Sequence, residues 1–189
     1  MTKYILHGGE TKIHCKNNDD FFAEIIRGLK EPAKMLLVYF AKPRKEWKGI
    51  FKRHRVDFSS NSGREKLELI LADEDLDKFV KQIKNSDAVY LHGGNQDILK
   101  EKMAPVENLE KLFEGKTIAG SSAGAHILSA FNYSIDSNQI EEGLGIIPVK
   151  VFTHYRDELK GELEKMENYG DRNMKTYAIP ETEFIVLNG

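Results

Sequence analysis

Apolar positions fall into short runs separated by amphipathic stretches. Tyr4-Ile5-Leu6 predicts a short strand that ends in His7-Gly8-Gly9. Asp19 or Asp20 is placed to cap a helix through about Lys30, with Phe21, Phe22, Ile25, Ile26 and Leu29 on one face and Pro32 as its breaker. Met35 to Phe40 is an apolar run of strand length, as expected of a strand covered on both faces. Pro43 then opens a basic helix around Trp47, Ile50 and Phe51. The pattern recurs. Leu67 to Leu71 predicts a strand, and Asp75 to Lys84 a helix with Leu76, Phe79, Val80 and Ile83 at helical spacing. Asp87 to Leu91 predicts a strand running into His92-Gly93-Gly94-Asn95, with one or two helices following to about Glu114. Lys116 to Ala119 is a strand that feeds Gly120-Ser121-Ser122-Ala123-Gly124, where a helix begins and runs to about Phe131. Val149 to Phe152 and Phe184 to Leu187 are later strands, with a helix near Asp157 to Glu167 between them.

This alternation predicts an α/β fold: a mostly parallel central sheet flanked by helices, one domain across residues 1–189. In such sheets the functional loops lie at the carboxyl ends of the strands. Composition narrows the chemistry. A net charge of -2 provides neither a basic footprint for nucleic acid nor a polybasic patch for a membrane surface. The single cysteine, Cys15, excludes an internal disulfide and a cysteine-based metal cluster. No run approaches the roughly 18 apolar residues of a membrane span, and the N-terminus turns polar too early for a secretory signal, so a cytoplasmic monomer or homodimer is expected.

Gly120-Ser121-Ser122-Ala123-Gly124 matches the nucleophile elbow G-x-S-x-G in the context the motif needs, after an apolar strand and before a helix. A sharp turn there projects the Ser122 hydroxyl from the sheet, and the Ala123 amide points to where an oxyanion forms. Gly94 or Gly93 is placed to supply a second amide donor. Of the histidines, His154 follows an apolar run at a strand's carboxyl end, where a general base belongs. His126 lies one helical turn from Ser122 and is expected to pack. His54 sits among Lys and Arg and is expected at the surface. His92 is a candidate for substrate contact. The orienting acid is either Asp136, between Ser122 and His154, or Glu181, after Ile179-Pro180. No metal and no organic cofactor is expected, because no His/Asp/Glu cluster has ligand spacing.

Gly-Gly-Asn after one strand, Ser-Ala-Gly-Ala after the next, a later strand-end His and a Pro-Glu before the last strand resemble dipeptidase E and the related cyanophycinases. The resemblance implies a serine peptidase on the class I glutamine amidotransferase-like fold. It implies Ser122 as nucleophile, His154 as base, Glu181 rather than Asp136 as the acid, Gly94 and Ala123 as oxyanion donors, and a small peptide as substrate. Gly93, Asn95, His92 and Arg156 are the candidates for contact with it. The chain departs from the pattern at His92, where dipeptidase E tends to have a third glycine. It departs again near Glu164, where an arginine is expected and Arg156 or Arg172 would have to substitute. An esterase on the same triad, or a catalytically silent binding module, are the alternatives. A glutamine amidotransferase proper carries cysteine at the elbow, and Cys15 is far from it in the chain.

Overall fold

The computed structural model describes residues 1–62 and 67–189. β1 (Lys3–His7) leads through a glycine turn to α1 (Lys16–Ile26), which buries Phe21, Phe22, Ile25 and Ile26 as the spacing predicts. α1 begins before the expected cap. Cys15 stands at its N-cap without a side-chain bond, and Asp19 lies in the first turn, where its charge meets the positive end of the helix dipole. β2 (Ala33–Val38) is followed by a 3₁₀ turn at Arg44–Glu46 and α2 (Trp47–Ser62). Here one expectation fails: His54 is fully buried. Trp47, Ile50, His54 and Phe58 share the inward face of α2, while Lys52 and Arg55 turn outward, so the basic run straddles two faces.

β3 (Leu67–Leu71), α3 (Leu76–Lys84) and β4 (Ala88–Leu91) follow the predicted pattern, with Asp75 capping α3 through Lys78 N–H. α4 (Gln96–Met103) and α5 (Leu109–Phe113) lead to β5 (Thr117–Ser121) and α6 (Ala123–Leu128). α6 ends well before Phe131. The Ser129 hydroxyl bonds His126 O at 2.7 Å and Phe131 O at 2.9 Å, and the chain turns into β6 (Ser129–Ser134). β7 (Gln139–Glu142), β8 (Ile147–Thr153), α7 (Lys160–Glu167), β9 (Thr176–Ile179) and β10 (Phe184–Asn188) complete the chain.

The larger sheet has the order β10-β1-β5-β4-β2-β3, parallel except for β10 against β1. The sequence did not suggest the second sheet, β7-β6-β8-β9, built on a β6–β7 hairpin with β8 and β9 parallel beside it. Both sheets aim at one place. In the larger sheet, Gly120 pairs with both Leu6 and Leu91, and Ser121 pairs with His7, so β1, β4 and β5 release their loops side by side. In the smaller sheet, Thr153 pairs with Ile179, so the residues after β8 and β9 emerge together. Among the described residues, no helix is long and apolar enough to cross a membrane.

Candidate active site

Ser122 occupies the bend between β5 and α6 with φ +50° and ψ −116°, a conformation that non-glycine residues rarely adopt. The bend is held on both sides. Ser122 N–H donates to His7 O at 3.0 Å, and Ser122 O accepts from Ala125 N–H and His126 N–H at 2.8 and 3.0 Å. The flanking glycines are needed for backbone contact: a Cβ on Gly120 would lie 2.4 Å from Gly124 C, and one on Gly124 would lie 2.1 Å from Leu91 O.

His154 follows β8, and Glu181 follows β9 with Pro180 between. His154 Nε2 lies 2.9 Å from Ser122 Oγ, and His154 Nδ1 lies 2.9 Å from Glu181 Oε1. Since the carboxylate only accepts, Nδ1 carries the proton and Nε2 is free to accept from the serine hydroxyl. The loop after β1 clasps this pair from beneath. His154 N–H donates to Gly8 O at 2.9 Å, Thr182 N–H to Gly9 O at 3.0 Å, and Gly8 N–H to Glu183 O at 2.9 Å.

Two depressions flank Ser122 and His154. The larger, about 580 Å³, is lined by Gly94, Ala123, Asp136, Tyr155, Arg156 and Glu181 among others. The smaller, about 370 Å³, is lined by Lys12, Lys42, Arg53, Glu46, His92 and Gly93 among others. Glu10 lies in both, at φ +58°, with an ion pair to Lys12 at 3.2 Å; the sequence flagged the Gly8-Gly9 turn but stopped one residue short of it. Asp136 is in the larger depression, and the carboxylate bonded to His154 is that of Glu181. Arg156 is exposed on the rim, and Arg172 is not among the lining residues. Asn95 Oδ1 accepts Ile98 N–H at 2.9 Å and caps α4.

The other histidines near Ser122 are buried, and burial is the first cause that lowers each of them. His7 and His92 are held down at about 4 and His126 at about 3. His7 is fixed by Asn18 Oδ1 at 2.8 Å on Nε2, and its Nδ1 accepts Gly9 N–H at 3.0 Å. His126 Nδ1 bonds Gln96 Oε1 at 2.6 Å, and its Nε2 faces Thr153 Oγ1 at 2.7 Å. Gln96 continues to Glu141 at 2.9 Å, so a hydrogen-bonded chain crosses from β8 through α6 and α4 to β7, beneath the residue that precedes His154. No group of three or more His, Cys, Asp or Glu among the described residues is arranged to hold a metal ion.

Solved structures share this architecture. A peptidase from an acI-B1 Actinobacterium superposes with a TM-score of 0.67 at 20% identity, over 99% of this chain and 83% of that one. A Listeria monocytogenes EGD-e protein described as a candidate peptidase E superposes with a TM-score of 0.68 at 19% identity, over 100% of this chain and 95% of that one. Nothing matches among curated protein sequences. The model of peptidase family S51 matches residues 5–189, and on that nearly complete match the chain belongs to peptidase family S51, a family of serine peptidases.

Proposed function

We propose that this serine peptidase hydrolyses short peptides through Ser122, His154 and Glu181, with the amides of Gly94 and Ala123 as the oxyanion donors. The observation that carries the reading is the unbroken line of hydrogen bonds from Ser122 Oγ through the His154 ring to Glu181 Oε1, each 2.9 Å. In this mechanism Ser122 Oγ attacks the scissile carbonyl carbon while its proton passes to His154 Nε2. The carbonyl oxygen gains the negative charge and is held by the two amides. The tetrahedral species collapses as His154 Nε2–H protonates the leaving amine, leaving an ester on Ser122. Water then repeats the cycle, giving its proton to His154 and its oxygen to the acyl carbon, and Ser122 departs protonated. Glu181 keeps the imidazole in the Nδ1–H tautomer and stabilises the imidazolium that forms twice per turnover.

Nucleophile-elbow geometry supports the serine's role, since a strained φ at a strand-to-helix bend exposes the hydroxyl and places the Ala123 amide next to it. The size of the two depressions supports a short substrate: each is of the order that encloses a few residues, in the range of ordinary small-molecule sites. The test is a dipeptide library and a panel of aryl esters, run on wild type and Ser122→Ala with fluorophosphonate labelling in parallel. Cleavage of dipeptides by wild type, with loss of both cleavage and labelling in Ser122→Ala, is expected. Equal turnover in the two proteins would overturn the mechanism. Turnover of esters alone would overturn the peptide substrate.

A further inference from the structure

We infer that His92, clamped by Arg53, is a positioning residue that fixes the plane of the Gly93–Gly94 peptide and so aims the Gly94 N–H at the oxyanion. The inference rests on the reading of Gly94 as an oxyanion donor and deepens it.

The loop that carries this donor has reason to be loose. It holds two consecutive glycines, and Gly94 sits at φ +150°. Both glycines are required for close approach. A Cβ on Gly94 would lie 2.3 Å from Ala41 O, and one on Gly93 would lie 2.8 Å from Ser121 O and 3.1 Å from Ser122 Cβ. The backbone is anchored before and after them, by His92 N–H on Val38 O at 3.0 Å and Asn95 N–H on Ala41 O at 2.9 Å. Between those anchors, one hydrogen bond among the described residues holds the 93–94 peptide: His92 Nδ1 lies 2.6 Å from Gly93 O.

A carbonyl oxygen only accepts, so Nδ1 must carry the proton. The other ring nitrogen says the same. His92 Nε2 lies 3.2 Å from Arg53 Nη2, and a guanidinium only donates, so Nε2 must present its lone pair. Two independent partners thus select one neutral tautomer, and burial of the ring, which holds its pKa down at about 4, keeps it neutral. Tyr39, His54 and Tyr90 pack around the ring at centroid distances of 5.6, 5.2 and 6.2 Å and restrict its rotation. Arg53 is steadied in turn by Asp57, 3.9 Å from its Nε.

The geometric consequence follows from the peptide unit. In a trans peptide the C=O and N–H point in opposite directions. Holding Gly93 O toward the buried imidazole turns Gly94 N–H the other way, toward the open side where both depressions meet Ser122. No bond among the described residues takes up that N–H. Both ring nitrogens of His92 are already engaged, so its part is to hold the donor loop and not to touch substrate.

The test compares full-length His92→Phe, His92→Asn, Arg53→Met and Ser122→Ala, using the dipeptide best cleaved by wild type and a fluorophosphonate probe. His92→Phe keeps the ring's bulk and loses the N–H. Its kcat and its labelling rate constant should both fall by about tenfold to a hundredfold, with KM within about twofold, because an oxyanion donor is set loose and not removed. His92→Asn keeps an amide N–H near the place of Nδ1–H and should retain at least about a third of wild-type kcat. Arg53→Met should lose kcat severalfold at unchanged KM, and it keeps the question open to test even where His92→Phe does not fold. Nitrogen NMR of wild type should show His92 protonated at Nδ1 alone. Wild-type kcat in His92→Phe or Arg53→Met, a loss confined to KM, an Asn variant as impaired as the Phe variant, or a proton on Nε2 would each overturn the inference. Activity surviving in Ser122→Ala would overturn the underlying mechanism instead. A dead Ser122→Ala beside unimpaired His92 and Arg53 variants would sink the positioning role alone.

Discussion

Gly9 backs directly onto the imidazole of His154: a Cβ at residue 9 would lie 2.2 Å from Cε1 and 2.5 Å from Nε2 of that ring. The residue also sits at φ +116°, which side chains rarely adopt. Gly9→Ala would therefore push the ring away from Ser122, while Gly9 O still holds Thr182 N–H from below. A displacement of about 1 Å at a catalytic group costs on the order of a hundredfold in rate, so kcat should fall by about that factor. Steady-state kinetics and the rate of fluorophosphonate labelling check it. A variant within threefold of wild type in both would show that the ring does not depend on this contact.

Three carboxylates border the larger depression, Glu10, Asp136 and Glu181, and among the described residues it is Glu181 that is bonded to the imidazole. On the proposed mechanism, Glu181→Gln removes the charge that stabilises imidazolium and lets the amide favour the wrong tautomer. A loss on the order of a hundredfold or more in kcat is expected, moderated from larger values because the Glu181 side chain is 52% exposed. Asp136→Asn should leave kcat within about threefold, its effect appearing in KM if anywhere. The two kcat values, measured on the same dipeptide, decide the matter. The reverse ranking would transfer the role of acid to Asp136.

The larger sheet was legible because its central strands are apolar runs whose residues are covered on both faces. Met35 to Val38 and Ala88 to Leu91 are buried throughout, as short apolar runs in central strands are. The smaller sheet was not. β9 is four residues, Thr176–Ile179, of which only Ile179 is buried, and β7 is Gln-Ile-Glu-Glu with no buried residue. Neither gives an apolar run or a clear alternation, and the first residues of β6, Ser129 to Phe131, were absorbed into an overlong helix. Ser122 and His154 were visible because each ends a strand that could be read. Glu181 was one of two candidates by its place before the last strand, and only the family resemblance favoured it over Asp136, because the strand that delivers it, β9, carries almost no pattern. His54 misled because local charge density outweighed helical phase, although Ile50, His54 and Phe58 lie four residues apart on one face. Glu10 had no signal beyond the glycine turn before it.

Two glycines in helices should respond in opposite senses to the same change. Gly124 in α6 lies against β4, and a methyl group there would sit 2.1 Å from Leu91 O, a backbone atom that cannot give way without moving the strand. Gly124→Ala should cost about 3 kcal/mol or more. Gly161 in α7 has nothing within 4 Å of the same position, so Gly161→Ala should stabilise by about 0.5–1 kcal/mol through helix propensity and a more restricted unfolded chain. Thermal or urea unfolding of both variants measures this. Equal tolerance at the two sites would contradict the close approach of α6 to β4.

Acid should unfold this protein well before its carboxylates are all protonated. His7, His54, His92 and His126 are buried, and burial lowers the pKa of each, to about 4 for His7 and His92, to about 3 for His126, and well below the ordinary value for His54. In the unfolded chain each returns to about 6.5. Between those values the unfolded state binds more protons than the folded state, so stability rises with pH there. Their contribution is complete above about pH 6.5 and is lost as pH falls from there toward 4. Each histidine contributes a slope of up to about 1.4 kcal/mol per pH unit, so the four together make a steep loss that is large beside an ordinary stability of about 5–15 kcal/mol. Urea midpoints measured from pH 8 to pH 4 should be nearly flat at the upper end and drop steeply below 6.5. His54 can be tested by a single change: among the described residues its Nε2 is buried without a hydrogen-bond partner, its Nδ1 meets the Tyr39 hydroxyl at 2.7 Å, and Phe22 and Phe58 pack against its ring at 5.9 and 6.1 Å. His54→Phe should flatten the slope between pH 6 and 4.5 by about a quarter, whatever it does to stability at pH 8. An unchanged slope in that variant would mean that the imidazole finds a way to hold its proton inside the folded protein.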